Sequence, residues 1–460
     1  MTSKPTLPRV LNRFDAAMMI MGNMIGIGIF TTTGYFAGEI GSPFLALLVW
    51  VIGGCYVFCG AVTYAELATR FPRAGGDYNY LGQTYHPMLG FLFGWSTFLV
   101  TYTGSIAAIA IGFAAYFLRL LPADLQTASV GLAGIELSML KLVAIGITFI
   151  LTLLNTRGVE RGSLFQNGMT LLGVTTLVAM IIFGLMSGNG NPANFQPFML
   201  QQFDFETLSS LGVAMVGVIF TFAGWTVIAY IAEEVKEPQR TIPQALAGAV
   251  LLVATLYLLT NVVYIYAQPL SSMSGTIEVG FQTLTILFGN EAGFFFSMII
   301  ILMVASSLNA TVLSGPRIYF AMARDGYFFK WAGELHPKHQ VPWKGLWIQF
   351  GWVVLMILFN KFNELLSMLV VVTLLCGLLS GSALVVQRLR NPNPESAYSA
   401  WGYPVTTGIY LLLSLGIMLN LFYKQPKESL IGLAIVATGI PFYLWWKNKQ
   451  NQVRNSTHNG

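Results

Sequence analysis

The sequence predicts an all-α polytopic membrane protein of twelve transmembrane helices, on three observations. First, of 460 residues 55% are hydrophobic and only 9% charged, where a soluble domain carries about 25% charged residues. Second, uncharged apolar runs of roughly 20 residues, the length that crosses a bilayer as a helix, recur along the whole chain. Third, lysines and arginines divide unequally between alternate connections. One set, with both termini, holds 19 of the 24, and the other holds only Arg119, Lys141, Lys361, Lys424 and Lys427. The alternation of β-barrel strands, each only ~10 residues long, is not visible. Lipid admits helices or closed barrels alone, because backbone polar groups must be satisfied internally.

Taken in order, the spans fall at 16–36, 43–67, 89–118, 137–156, 163–187, 208–231, 242–267, 293–321, 345–360, 363–387, 403–423 and 429–446. The first follows Arg9 and Arg13 and has no small-residue cleavage site behind it, so it reads as a span and not as a removed signal peptide. The second closes at Arg70, the third at Arg119, the fourth at Arg157, and the fifth begins after Arg161. The sixth ends at Glu233-Glu234, the seventh follows Arg240, and the eighth closes at Arg324. Lys344 precedes the ninth, Lys361 the tenth and Lys427 the twelfth, while Lys424 closes the eleventh. The excess of Lys and Arg places both termini in the cytoplasm of a cell membrane. An odd number of spans would scramble that split. The chain is a single transmembrane domain: a tail 1–15, a first repeat 16–187, a second 208–387, two appended helices in 403–446, and a tail 447–460.

Several classes of function are excluded. The net charge of +5 is mostly loop charge and needs no nucleic-acid partner. Cys55, Cys59 and Cys376 all lie in apolar runs and give neither a disulfide framework nor metal-ligand spacing. Cys55 and Cys59 share a helix face as small packing residues. His86, His336, His339 and His458 are scattered, which argues against a metal centre. There are no paired intramembrane carboxylates and no nucleophile–base spacing, so neither an enzyme nor a cofactor is expected. Asn309-Ala310-Thr311 and Asn455-Ser456-Thr457 match glycosylation acceptors by chance, one inside a span and the other in a cytoplasmic tail.

The feature that carries function is MGNMIGIGIF, residues 21–30. Glycine costs about 1 kcal/mol against alanine inside a helix, yet Gly22, Gly26 and Gly28 sit in a membrane-length run. The sixth span is interrupted too, at Phe220-Thr221-Phe222-Ala223-Gly224-Trp225-Thr226. With twelve spans, helices 1 and 6 hold corresponding positions in two inverted five-helix repeats, helices 1–5 and 6–10. Breaks at such positions point to a transporter binding site. Unwinding helix 1 frees N–H groups at a positive helix start, which suits an anion. Unwinding helix 6 frees carbonyls at a helix end, which suit an ammonium group. A small zwitterion satisfies both. The competing reading is that the glycines only allow close helix packing.

Four stretches resemble the amino acid–polyamine–organocation superfamily of permeases, over nearly the whole chain. They are GIGIF; YAELATRFPRAGGDYNYLGQTYHPMLGFLFGW at 64–95; FTFAGWTVIAYIAEEVKEPQRTIPQA at 220–245; and SGPRIYFAMARDGYFF at 314–329. The branch it looks most like is that of the L-amino-acid transporters. The resemblance implies alternating access, with helices 1, 2, 6 and 7 rocking against 3, 4, 8 and 9. It implies that the N–H groups of Gly26, Ile27 and Gly28 hold a carboxylate and the carbonyls of Met24, Phe220 and Ala223 an amine. Phe220 closes over the substrate, and Ile25, Phe222, Gly224 and Trp225 shape the site. Two positions depart from that branch. Ile27 stands where a Ser, Thr or Ala is usual, and Gly173 stands where a lysine is usual.

Other candidates follow from chemistry. Tyr102 and Thr103 end a hydroxyl-rich run in helix 3 and are candidates for the pocket wall or for core packing. Ser306 and Ser307 in helix 8 could coordinate a hard cation through oxygen or bond back to their own helix. Glu66, near the cytoplasmic end of helix 2, is a candidate gate or coupling residue, or an anchor for Arg70 one turn on. The coupling ion, H⁺ or Na⁺, stays open. The sequence thus predicts a secondary amino-acid transporter, moving neutral L-amino acids through the lipid bilayer. The alternatives are a transporter-like amino-acid receptor or a carrier of cationic amino acids or amines. The external loop between helices 3 and 4 has no cysteine, so no disulfide-linked partner subunit is expected.

Overall fold

Apolar runs bounded by caps and charges become helices because each span must satisfy its own backbone. The computed structural model describes residues 9, 11–71, 75–126, 128–132, 135–157, 162–199, 204–230, 232–339, 341–392 and 398–458. Eleven of the described helices are long and apolar enough to cross a membrane. The expected ninth span is the shorter helix Trp343–Phe359, 17 residues long, at the lower limit for a span. The others are Arg13–Phe36 (broken), Pro43–Arg70, Pro87–Leu118, Met139–Thr156, Asn167–Met186, Phe205–Phe222, Pro238–Ala267, Asn290–Arg324, Phe362–Arg390, Val405–Lys424 and Pro426–Lys449. They are called spans 1 to 12 in chain order. The chain is a polytopic all-α membrane protein. Among the described residues the strands form one antiparallel hairpin, Ser129–Leu132 with Ile135–Ser138, between spans 3 and 4.

Local chemistry sets the ends. Asn12 caps span 1, its Oδ1 accepting from the Phe14 and Asp15 amides at 2.8 and 3.0 Å, while Asp15 reaches back to the Asn12 amide. This capping box satisfies orphan donors reciprocally. Ser42, Ser138 and Asp204 cap spans 2, 4 and 6. Span 3 departs from regular helix at Thr97–Thr101, a π-helical turn of the kind that widens helices at functional sites. Span 6 differs from the expected 208–231. Its long helix stops at Phe222, and the piece beyond the break, Val227–Tyr230, is a single turn. Two short helices, Asp77–Thr84 and Val279–Phe288, lie between spans.

Spans 1, 3 and 6 are the most deeply buried. Spans 4, 5, 11 and 12 expose apolar side chains such as Phe149, Phe183, Leu412 and Trp445, the face that lipid requires. Contacts define two ends of the bundle. At one, the Leu11 amide bonds the Glu234 carbonyl, Arg70 reaches the Asn391 carbonyl, and Tyr78 donates to Asp325. At the other, Arg119 pairs with Glu278 and Lys424 with Glu206.

Candidate functional site

Span 1 leaves helical geometry at Ile25 (φ −78°, ψ 89°) and resumes at Gly28. Among the described residues, no backbone acceptor is found for the amides of Gly26, Ile27 and Gly28. Span 6 ends at Ala223 (φ −54°, ψ 148°). The Phe220 carbonyl accepts from the Ala223 amide at 3.0 Å, which leaves one of its two lone pairs. Gly224 has φ +109°, a backbone state that L side chains avoid.

The two breaks interlock. A Cβ on Gly28 would lie 2.7 Å from Thr221 Cα, and one on Gly224 would lie 2.4 Å from the Asn23 carbonyl oxygen. The helix-packing reading of the glycines therefore holds at both positions, and the same close packing brings the two breaks together. Tyr257 of span 7 stitches the pair, donating to the Met24 carbonyl at 2.7 Å, with the Thr221 carbonyl 3.4 Å away. Thr32 and Thr221 share a 2.5 Å hydroxyl bond.

Around the breaks lies a cavity of about 190 Å³, smaller than the ~300–1,000 Å³ of sites for drug-sized ligands. Of the expected residues, Met24, Gly26, Ile27 and Gly28 line it from span 1. Phe220, Ala223, Gly224 and Trp225 line it from span 6, Tyr102 from span 3 and Ser307 from span 8. Five others sit elsewhere. Ile25 turns its side chain toward Gly173. Phe222 is fully buried against Trp50 and Tyr257, because alternate residues at a helix end face opposite sides. Thr103 and Ser306 are buried, and neither hydroxyl has a hydrogen-bond partner among the described residues. Ser306 therefore does not bond back to its own helix.

Glu66 is the fifth. It is buried at the end of span 2, where Arg70 Nε donates to it at 2.8 Å, Arg388 Nη2 at 2.5 Å and the Ala400 amide at 2.7 Å. Its geometry is that of an anchor tying spans 2 and 10 and the segment after span 10. Glu66→Gln is expected to lower the melting temperature in detergent by the equivalent of ~1–3 kcal/mol, the cost of leaving buried donors poorly satisfied. An unchanged melting temperature would remove the anchoring role.

The two departures are explained by neighbours. Ile27 packs its Cγ1 over Gly112 of span 3, where a Cβ would lie only 2.4 Å away. A Cβ on Gly173 would meet Ile25 Cγ2 and Met303 Cε, both at 3.1 Å, so apolar groups occupy the space beside it.

Sequence reasoning missed Asp77. It is the one charged residue among the described residues that line the cavity. It is 2% exposed and accepts from Tyr64 Oη at 2.6 Å and Tyr230 Oη at 3.1 Å. Burial pushes its carboxyl above the ordinary aspartate range, against the opposing pull of the Ser380, Tyr64 and Tyr230 hydroxyls. No local signal marks it: GGDYNY reads as an ordinary loop, and the tyrosines that bind the carboxylate, Tyr64 and Tyr230, lie in other elements.

Residues of both breaks thus line one small cavity inside a bundle of helices long and apolar enough to cross a membrane, the architecture of a polytopic membrane protein. The amino acid permease family model matches residues 11–444, and the chain belongs to that family. It is 26% identical to the serine/threonine exchanger SteT of Bacillus subtilis, over 96% of this chain and 98% of that protein. It is 26% identical to the Asc-type amino acid transporter 1 of Mus musculus, over 99% and 85%. To the large neutral amino acids transporter small subunit 2 of Mus musculus it is 27% identical, over 96% and 82%.

Proposed function

We propose that this chain carries neutral L-amino acids across the cytoplasmic membrane by alternating access, with both termini in the cytoplasm. The observation that carries the reading is the apposition of the free Gly26–Gly28 amides and the span 6 carbonyls around one small cavity. A carboxylate sits against the amides at the start of a helix, and an ammonium group against the carbonyls of Ala223, Phe220 and Met24. A carbonyl oxygen carries two lone pairs, so Met24 can hold Tyr257 and substrate together. The names of the relatives, a serine/threonine exchanger and a large neutral amino acids transporter, agree with uncharged side chains.

The moving unit in this reading is spans 1, 2, 6 and 7, supported by the packing of span 2 on span 7, of span 1 on span 7 and of span 6 on span 2. Spans 3, 4, 8 and 9 pack on one another in the same way and form the scaffold. The repeats are 16–187 and 208–387, with 403–446 appended. The unequal division of lysine and arginine supports the orientation. The apolar packing of Ile25 and Met303 beside Gly173 favours sodium-independent uptake. Equal initial rates in sodium and choline media are expected, and a rate that rises with sodium would return Ser306 and Ser307 to the role of cation ligands.

Phe220, 6% exposed and edge-on to Phe362 at 6.3 Å, closes the cavity in this reading. Phe220→Ala is expected to lower transport of a labelled neutral amino acid into proteoliposomes about tenfold, the kinetic equivalent of ~1.4 kcal/mol. Unchanged kinetics would remove the gate.

A further inference from the structure

Asp77 belongs to no span, yet its carboxylate reaches the cavity that spans 1 and 6 enclose. Its ligands come from two different elements. Tyr64 belongs to span 2, and Tyr230 ends the single helical turn that follows the span 6 break. That turn is the piece of span 6 between the substrate cavity and the end of the bundle that carries Leu11, Glu66 and Asp325.

We propose that Asp77 is a proton-binding site that couples transport to a proton gradient, by latching the short inner turn of span 6 when ionised and releasing it when protonated. The proposal rests on the amino-acid reading above and assigns it a coupling ion.

The chemistry follows from what surrounds the group. No ion pair reaches Asp77 among the described residues. The titratable groups facing it are hydroxyls and a thiol: Tyr64 of span 2, Tyr80 of its own helix, Tyr102 of span 3, Tyr230 of span 6, Cys376 of span 10 and Tyr410 of span 11. Such groups are neutral at physiological pH, so Asp77 is the acid among them. Arg317 acts on Tyr102. The Ser380 hydroxyl, buried with no hydrogen-bond partner among the described residues, lies near the carboxylate as well.

An uncompensated buried carboxylate is driven toward its neutral form by desolvation. That direction is the one shown by its raised pKa. When ionised, it accepts from both tyrosines, and these charge-assisted bonds are the strong ones. Taking one proton from water converts an oxygen from acceptor to donor and weakens the tie to Tyr230. The proton returns to water on the opposite side when the cavity opens there. No other bond forms or breaks.

The test uses the full-length protein in proteoliposomes with a labelled neutral amino acid. Uptake is followed across a pH series and with an imposed inward proton gradient. Substrate-induced thermal stabilisation is measured in parallel. The wild type is expected to be accelerated by the gradient. Asp77→Asn is expected to keep substrate-induced stabilisation and lose the gradient effect. Tyr230→Phe and Tyr64→Phe remove donors that favour the charged form, so each is expected to move the pH midpoint upward. These two variants carry the test if Asp77→Asn fails to fold. An Asp77→Asn protein with the full gradient response, or phenylalanine variants with an unmoved midpoint, would overturn the assignment. So would an Asp77→Asn protein that loses only the competition by lysine or arginine, which would make Asp77 a ligand for a cationic substrate. A wild type without substrate-induced stabilisation would remove the amino-acid reading itself.

Discussion

Gly224→Ala is expected to abolish uptake while leaving the protein in the membrane. Two independent penalties fall on this one methyl group. Its backbone sits at φ +109°, and the added Cβ would come within 2.4 Å of the Asn23 carbonyl oxygen and 2.6 Å of its carbon. A left-handed or otherwise sparse backbone state costs ~1–3 kcal/mol for a residue with a side chain. The clash is with backbone, so no rotamer change relieves it. Relief requires the two broken spans to separate, and their apposition is the proposed site. A combined loss above ~3 kcal/mol at the site is worth more than two decades of rate. The check is initial-rate uptake normalised to protein reconstituted in the bilayer. Uptake at near wild-type rate would mean that the breaks do not need to touch.

Gly112→Ala is expected to impair transport strongly, and Ile27→Ala is expected to restore it in the double variant. The side chain of Ile27 lies over Gly112 with Cγ1 only 2.4 Å from where a Cβ would stand. Both groups are deep in the bundle, and Ile27 is 1% exposed. Overpacking of this kind costs ~1–3 kcal/mol, and here the displaced side chain belongs to a residue whose amide is part of the proposed substrate site. Removing the Ile27 branches frees the volume, so the two substitutions should couple by ~0.5–3 kcal/mol, as contacting residues do. Uptake and melting temperature of the two single variants and the double variant give the cycle. Additive losses would show that the pair does not share space.

These two predictions also mark what was legible in the sequence. The breaks were legible, because glycines and a Gly-Trp pair weaken a helix wherever they interrupt an apolar run. Eleven of the twelve expected spans were legible from charge and hydropathy as helices long enough to cross a membrane, and the expected ninth is a shorter apolar helix. The direction of each side chain at a break was not. Ile25 and Phe222 lie within two residues of cavity-lining positions but turn toward Gly173 and toward Trp50, Ile25 because an unwound segment loses the 3.6-residue period that predicts facing, and Phe222 because the helix around it still keeps that period and points it away from Phe220.

Partners distant in sequence were also invisible. Tyr257 reaches Met24 across 233 positions, and nothing local in either segment encodes the contact. Ile27 stood out as an unusual residue, but the reason for it lies at Gly112, in a different span. Asp77 was hidden differently. A buried carboxylate looks like a loop acid until Tyr64 and Tyr230 are seen to enclose it.

The central claim is that backbone amides at one break and backbone carbonyls at the other hold the two charged ends of one amino acid. The most direct measurement is competition against uptake of a labelled neutral L-amino acid in proteoliposomes, by three analogues of the same side chain. One is the intact amino acid, one lacks the carboxylate, and one lacks the amine. The account predicts that only the intact amino acid competes, since each end has its own break. Competition by either truncated analogue at the level of the intact amino acid would contradict it.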